Sequence, residues 1–185
     1  MEHIRRKTIR HYNEPHQAHE LTFSCYKRLP LLSDRRTRLW LIEALNSARQ
    51  KADYSILAFM IMPNHVHVIV YPHEPEYNIS LFLKSVKQSV SRKAARWLEK
   101  SDPERYRGLL VGQIGEKQIF RFWMAGGGYD RNITDRDTLL RMIEYIHGNP
   151  ARRDLVDNPI DWEWSSISHY RSGSCPILRI DPLPW

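Results

Sequence analysis

The segment YSILAFMIMPNHVHVIVYP (residues 54–72) decides the fold, because it holds two apolar runs separated only by Pro63 and Asn64. Short apolar runs bounded by turn residues are typical of β-strands. The first run, 54–62, is apolar on both faces and predicts a central strand, and the second strand is predicted over 65–72. Two strands joined by so short a turn form an antiparallel hairpin. This segment therefore predicts the middle of an antiparallel sheet.

Helical periodicity flanks this hairpin on both sides. Apolar residues recur at helical spacing, which predicts helices over 34–52, 79–100 and 135–148. Ser33-Asp34 is the expected cap of the first helix and Thr134 that of the last, while Pro150 ends the last one.

The remaining strands are predicted from shorter signals. Leu21, Phe23 and Cys25 alternate with polar residues and indicate a strand over 20–27. A fourth strand is expected within 113–123, and 101–110 is interpreted as a surface loop. The order β-α-β-β-α-β-α predicts an α+β protein of the ferredoxin-like type, with a four-stranded antiparallel sheet and its helices on one face.

Composition limits the chain to one compact domain with a basic surface. It has 185 residues, 42% of them hydrophobic, and a formal net charge of +7 with a pI of about 9.5. Such a surplus attracts polyanions, most commonly nucleic acid. We divide the chain into a flexible basic arm (1–18), a single domain (19–172) and a C-terminal tail (173–185).

Two cysteines and the lack of long apolar segments indicate the compartment. Cys25 and Cys175 are far apart in the sequence and are interpreted as reduced thiols. The N-terminal residues resemble no signal peptide, and no apolar run is long enough to span a membrane. We expect a cytoplasmic protein that does not bind membranes.

A histidine pair occupies the second strand of the hairpin. Side chains alternate along a strand, so His65 and His67 point to one face, about 7 Å apart along the chain, and Val66 points to the other. Two neutral imidazoles in this arrangement are able to bind one divalent cation. The alternative is a pair of structural histidines on a half-exposed face.

The last predicted helix carries a second candidate group. Tyr145 and Asn149 are four residues apart, which predicts that they share a helix face. A phenol has a pKa near 10 and needs activation, which a nearby cation supplies. The Asn149 carbonyl is a suitable third ligand for Mg²⁺ or Mn²⁺, the latter preferred by imidazole nitrogen. Taken alone, Tyr145 also suits an ordinary core or surface tyrosine, and Asn149 suits a residue at a helix C-terminus before proline.

These phrases resemble one family. FMIMPNHVHVIV resembles the hairpin of the single-tyrosine HUH transposases, and YIHGNPARRDLV and DWEWSSISHY resemble the REP-associated tyrosine transposases among them. The likeness covers roughly residues 19–172. It implies the HUH endonuclease fold and a transposase, an enzyme that recombines DNA, with His65, His67 and Asn149 as metal ligands and Tyr145 as nucleophile. Better-known relatives carry Gln where this chain has Asn149.

The resemblance also implies a substrate. It implies cleavage of single-stranded DNA beside an imperfect hairpin, such as a repetitive extragenic palindrome, through a 5′-phosphotyrosine, by a monomer or a homodimer. The candidate phosphate contacts come from the basic residues of the second helix and of the segment after Tyr145. They are Lys84, Lys87, Arg92, Arg152 and Arg153. Trp162, Trp164 and Tyr170 are expected to pack rather than to stack on bases.

Two other functions remain open from the residues alone. The first is a non-catalytic nucleic-acid-binding protein of the same fold, which has no need of all three of His65, His67 and Tyr145. The second is a metal phosphodiesterase with a water nucleophile, a class of site that usually contains more carboxylates than this hairpin offers.

Overall fold

The predicted hairpin forms one half of a four-stranded antiparallel sheet. Its first strand was predicted to be central but lies at the sheet edge, where the C-terminal segment covers it and keeps its residues buried. A computed structural model describes residues 12–185, so most of the predicted basic arm, residues 1–11, lies outside the described part. Strands β1 (Ala18–Ser24), β2 (Tyr54–Ile61), β3 (His65–Pro72) and β6 (Tyr129–Ile133) form the sheet in the order β2-β3-β1-β6. This arrangement confirms the predicted ferredoxin-like fold.

The fourth strand of this sheet is not where the sequence predicted it. Within 113–123 the chain forms part of a separate hairpin, in which β4 (Leu110–Ile114) pairs only with β5 (Lys117–Phe120). The strand beside β1 is β6 instead, with Asp130 opposite Leu21. The prediction was wrong because β6 is an edge strand whose only buried apolar residue is Ile133, so its sequence lacks the apolar alternation of a half-buried strand.

Helices cover both faces of the sheet, which corrects the prediction that they lie on one. α1 (Arg35–Ala52) and α2 (Ile79–Ser101) pack against the face that carries Val66, Val68 and Val70. α4 (Arg136–His147) packs on the opposite face through Leu139, Ile143 and Ile146. Side-chain alternation places Ile69 and the two histidines of β3 on this second face. α4 and the histidines therefore share one side of the sheet.

Helix boundaries follow the capping residues. Asp34 caps α1 as predicted, but α4 is capped by Asp135, whose side chain accepts a hydrogen bond from Thr138 N, and not by Thr134. The predicted loop 101–110 contains a short helix, α3 (Pro103–Gly108), because Asp102 supplies a cap and proline suits the first helical position. Among the helices of residues 12–185, none combines the length and the apolar character that a bilayer crossing demands.

The C-terminal residues close the free edge of β2. Ile61 N donates to Trp164 O at 2.9 Å, and Ser166 N donates to Phe59 O at 3.0 Å. Further along the strand, Asp181 accepts from Ile56 N and from the Arg49 guanidinium, both at 2.9 Å. Trp164 is buried and Trp162 donates its indole N–H to Ile61 O, so these aromatic residues pack as expected. The tail and α6 (Ile167–Ser172) thereby satisfy strand groups that would otherwise be exposed at an edge.

Substitution of Gly128 tests the close approach of β6 to β1. Gly128 has a φ of +84°, and a Cβ there would collide with the carbonyl oxygen of Thr22. Both the strained backbone and the collision destabilise a larger residue. We expect Gly128→Ala to lower the free energy of unfolding by about 2 kcal/mol or more, measured by urea denaturation. Gly108→Ala is the control, because nothing lies within 4 Å of a Cβ at that position; equal losses in the two variants would contradict the expectation.

His147 predicts a pH dependence of stability. Its imidazole is buried with Nε2 2.8 Å from Ser166 Oγ. Burial, and secondarily the charge of Arg171, lowers its pKa from 6.5 to about 4. Below pH 6.5 the unfolded chain therefore binds a proton that the folded chain does not, and this contribution to stability is lost as the pH falls from 6.5 to 4. The full loss is on the order of 3 kcal/mol.

Unfolding of the wild type and of His147→Gln across this pH range isolates the contribution of the imidazole. The variant should show a shallower fall of stability below pH 6.5, because it has no group to protonate at this position. Identical slopes in both proteins would show that the imidazole is not held neutral.

Candidate functional site

The two histidines of β3 lie side by side in the middle of the sheet. Their ring centroids are 5.1 Å apart, with an angle of 79° between the planes. Strands β1 and β2 flank them, with Thr22 and Met60 opposite His67 in the register. The position is thus fixed by two ladders of backbone hydrogen bonds.

A buried carboxylate orients His67. Its Nδ1 lies 3.0 Å from Glu20 Oε1 and 2.8 Å from Thr22 Oγ1. The Thr22 hydroxyl donates its own hydrogen to Glu20 at 2.6 Å, so it accepts from the imidazole. Nδ1 therefore carries a proton, and Nε2 is the ring nitrogen left for other partners. A carboxylate behind a histidine is a common support for a metal ligand.

His65 is held in the same way by its neighbour. Its Nδ1 lies 2.6 Å from Asn64 Oδ1, an acceptor that places the proton on Nδ1. Burial lowers its pKa to about 4, and the electrostatic effect of the neighbouring His67, Arg153 and Arg28 acts in the same direction. The ring is therefore neutral at physiological pH. Within residues 12–185 neither histidine has a hydrogen bond at Nε2, so both Nε2 atoms are left without a hydrogen-bond partner among these residues.

Two adjacent histidines suit a divalent cation. Such an ion needs further ligands, and other histidine, cysteine or acidic side chains do not supply them in the described residues. No group of three His, Cys, Asp or Glu residues able to hold a metal occurs in the part of the chain that the structure describes. A third ligand from the described residues would therefore be of another residue type. Glu20 was not recognised from the sequence, although an acid among the apolar residues of β1 is the signal that could have indicated it.

Asn149 has a side-chain oxygen suited to be a third metal ligand, and this oxygen already accepts a hydrogen bond. α4 ends at His147 and the short helix α5 (Asn149–Arg152) begins at Asn149, so Tyr145 and Asn149 do not share one helix as predicted. Asn149 is only 8% exposed, and its Oδ1 accepts from Arg152 Nη2 at 2.9 Å. Its Nδ2 is buried with no partner among the described residues. A carbonyl oxygen has a second lone pair, which a cation could use.

Tyr145 lies on the helix that covers the histidine face, and its side chain is 55% exposed. The Arg152 guanidinium stacks 4.5 Å from the centre of its ring and donates a hydrogen bond to its backbone oxygen. Within residues 12–185 the hydroxyl has no hydrogen-bond partner, and the ring pairs with neither imidazole. The phenol is therefore exposed on the same side of the sheet as the histidines, without direct contact with them.

His147 is not a charged partner of the helix end, since it is neutral and bonded to Ser166. Its contact with Ser166 ties α4 to β2, because Ser166 Oγ also accepts from Phe59 N at 2.9 Å.

The candidate DNA contacts separate into two groups. Arg152 and Arg153 follow α4, and Arg153 lines a small cavity that also includes His65. The second group, on α2, packs on the other face of the sheet and is not brought to the histidines. Its members are Lys84 and Arg92, which are exposed, and Lys87.

Lys87 has a structural partner. Its ammonium donates to Gly126 O at 2.7 Å and to Met124 O at 3.3 Å, and burial lowers its pKa. It thus anchors the glycine-rich loop before β6. Arg28 lines the cavity beside His65 and was missed by sequence reasoning, because nothing in the sequence near it indicates that the chain after β1 returns to the hairpin turn.

Comparisons with known proteins identify the family and the fold. The model of the family described as "Transposase IS200 like" matches residues 15–149. A Haemophilus influenzae protein, provisionally named REP-associated tyrosine transposase, is 25% identical over 142 residues, which cover 71% of this chain and 73% of that protein. A solved structure of a REP-associated tyrosine transposase bound to a REP hairpin superimposes with a TM-score of 0.70 at 17% identity, over 95% of this chain and 92% of that one. The resemblance read from the hairpin and tyrosine phrases is thereby confirmed, and the chain belongs to the IS200-like transposase family.

Proposed function

We propose that this transposase is a metal-dependent endonuclease and strand transferase for single-stranded DNA, with Tyr145 as its nucleophile. The observation that carries the proposal is the common anchoring of His65 and His67 through Nδ1, which leaves both Nε2 atoms free on one face. Structural histidines would be expected to use both ring nitrogens in hydrogen bonds when they are largely buried.

The ion would be Mg²⁺ or Mn²⁺, held by His65 Nε2, His67 Nε2 and Asn149 Oδ1. When bound, it polarises a phosphate oxygen and eases deprotonation of the phenol. Glu20 and Thr22 keep His67 in the tautomer that ligation requires. Arg152 shares the Asn149 oxygen and lies over the Tyr145 ring, so it sets the orientation of both groups.

Tyr145 would cut the strand by direct displacement. The phenolate oxygen forms a bond to phosphorus as the bond from phosphorus to the 3′ oxygen breaks. The leaving oxygen takes up a proton and becomes a free 3′-hydroxyl, and the phenol proton is lost to solvent. Because the 5′-phosphotyrosine keeps the energy of the phosphodiester, attack by a 3′-hydroxyl rejoins a strand without ATP.

The substrate we propose is single-stranded DNA next to a hairpin such as a repetitive extragenic palindrome. The Haemophilus influenzae relative and the protein of the solved structure are both described as REP-associated tyrosine transposases, and the latter is bound to a REP hairpin. The basic surface of this chain suits such a ligand. The cytoplasmic location and the monomeric or homodimeric state stay predictions.

One observation favours the second candidate, a DNA-binding protein without catalysis. The Tyr145 hydroxyl contacts neither imidazole, and Arg152 occupies a lone pair of Asn149. Strand transfer requires the phenol to reach a phosphorus atom held at the ion, whereas binding does not. The following experiment separates the two.

Tyr145→Phe should abolish a covalent adduct between protein and DNA. A 3′-end-labelled single-stranded hairpin oligonucleotide is incubated with Mn²⁺ and run on a denaturing gel. The fragment that carries the 3′ label is the one attached to tyrosine, so wild type should give a slow labelled band that the variant lacks. Tyr12→Phe is the matched control, since Tyr12 is similarly exposed at 56%.

The outcomes distinguish the candidate functions. An adduct that persists in Tyr145→Phe would contradict the assignment of Tyr145 as the nucleophile. Cleavage without an adduct in the wild type would indicate a water nucleophile, and a shifted native band without cleavage would indicate a binding protein.

Glu20→Gln tests the orientation of His67 separately from the tyrosine. The amide keeps the size of the side chain but removes the charge that fixes the Nδ1 proton. We expect Mn²⁺ affinity to fall by about 10- to 100-fold, as for other supporting carboxylates. Calorimetric titration of metal-free protein measures it, with the thermal midpoint of both proteins as control for folding. An unchanged affinity would remove Glu20 from the metal centre.

A further inference from the structure

We propose that the cavity between Arg28 and Arg153, beside His65, is the site that takes a phosphodiester group of the bound strand. The nature of this ligand rests on the proposed function, while the site itself rests on its own geometry. The proposed function gives Arg28 no role so far.

The cavity lies where three segments meet. Its volume is about 150 Å³, and its polar lining consists of Arg28, Asn64, His65 and Arg153. Arg28 comes from the turn after β1, Asn64 and His65 from the β2–β3 hairpin, and Arg153 from the residues after α5. The space is thus enclosed by parts of the chain that are distant in sequence and that converge at one end of the sheet.

The charges around this cavity are unbalanced. None of its lining residues is acidic. Neither Arg28 nor Arg153 has an acidic partner within residues 12–185, whereas Arg49 is paired with Asp181 and Lys93 with Glu43. Two guanidinium groups that line one small space repel each other, and an anion between them removes this cost. Arginine also matches phosphate oxygens with paired N–H donors, which makes phosphate the favoured anion.

The backbone that presents Arg28 is strained and firmly held. Lys27 and Arg28 are consecutive non-glycine residues with φ values of 51° and 55°, a conformation that costs roughly 1–2 kcal/mol per residue. Cys25 N donates to Asn64 O at 2.8 Å, and Leu32 N donates to Pro63 O at 2.9 Å, so both ends of this turn are fastened to the hairpin. Strain that is maintained by surrounding contacts is typical of functional sites.

The position relative to His65 indicates which phosphate the cavity would hold. His65 lines the cavity and is also a proposed ligand of the ion, so an anion there lies at the metal centre and not on a remote surface. A phosphodiester of the strand being cut satisfies both requirements. Free phosphate shares the same chemistry, and the experiment separates the two.

The test uses three variants, Arg28→Gln, Arg153→Gln and the double variant that combines them. The control variant is Lys27→Gln, and all measurements are made in EDTA so that no metal contributes. Binding of a fluorescein-labelled single-stranded hairpin oligonucleotide is followed by anisotropy at increasing salt. Because both arginines would hold one phosphate, its loss in the double variant should reduce the slope of log K against log salt concentration by about 0.7, and each single variant should give a smaller reduction. Lys27→Gln should keep the wild-type slope, since Lys27 shares the same turn but does not line the cavity. A wild-type slope in the double variant overturns the proposal.

Mn²⁺ binding in the absence of DNA gives a second readout of opposite sign. Removal of two positive charges beside His65 should tighten Mn²⁺ binding by several-fold, while oligonucleotide binding weakens. A folding defect would weaken both, and that result counts against a specific role. If wild type binds no Mn²⁺, the proposed metal centre fails, but the salt slopes still decide on the cavity.

Inorganic phosphate distinguishes the two sources of the ligand. If phosphate competes with the oligonucleotide no more strongly than chloride does at equal ionic strength, the cavity is a site for the DNA strand. Displacement by micromolar phosphate in the wild type, absent in the double variant, overturns the strand assignment in favour of a free anion site.

Discussion

The hydrogen bond from His67 Nδ1 to the buried Glu20 carboxylate is the constraint on which the rest of the site depends. A carboxylate that is 3% exposed is costly unless it is fully paired, and here its partners come from β1 itself and from β3. The pairing requires Thr22 to lie opposite His67. A shift of one residue between these strands would turn both histidines towards α1 and α2 and leave Glu20 without its partner. The site and the strand register therefore specify each other.

This constraint explains why the two faces of the sheet differ. The face beneath α1 and α2 carries an apolar layer that includes Val66, Val68 and Phe59 and supplies most of the burial. The other face gives up part of this burial to the histidines, Glu20 and Thr22, and α4 covers only the remaining apolar residues. The C-terminal segment compensates by closing the edge of β2 through Ser166 and Asp181. Most of the apolar burial and the candidate site thus lie on opposite faces of the same sheet.

The sequence predicted what depends on local periodicity. The hairpin, α1, α2 and the shared orientation of His65 and His67 follow from spacing alone. What depends on contacts between distant segments was not predictable. β6 was missed because an edge strand needs little apolar content, and Arg28 because its approach to His65 arises from the return of the chain after β1. Glu20 is intermediate, since an acid in an apolar strand demands a partner that the sequence does not identify.

Arg152 shows why the candidate nucleophile and the candidate third ligand should be considered together. Its guanidinium stacks on the Tyr145 ring and bonds to Asn149 Oδ1. Gly148 permits this path, because a Cβ there would collide with the guanidinium. A movement of α4 that brings Tyr145 towards the proposed ion would therefore either carry Arg152 and Asn149 with it or break one of these two contacts. In the first case the amide oxygen would be shared between the proposed ion and the arginine. If instead the bond between Arg152 and Asn149 breaks, that oxygen becomes available to the ion and the guanidinium to a phosphate.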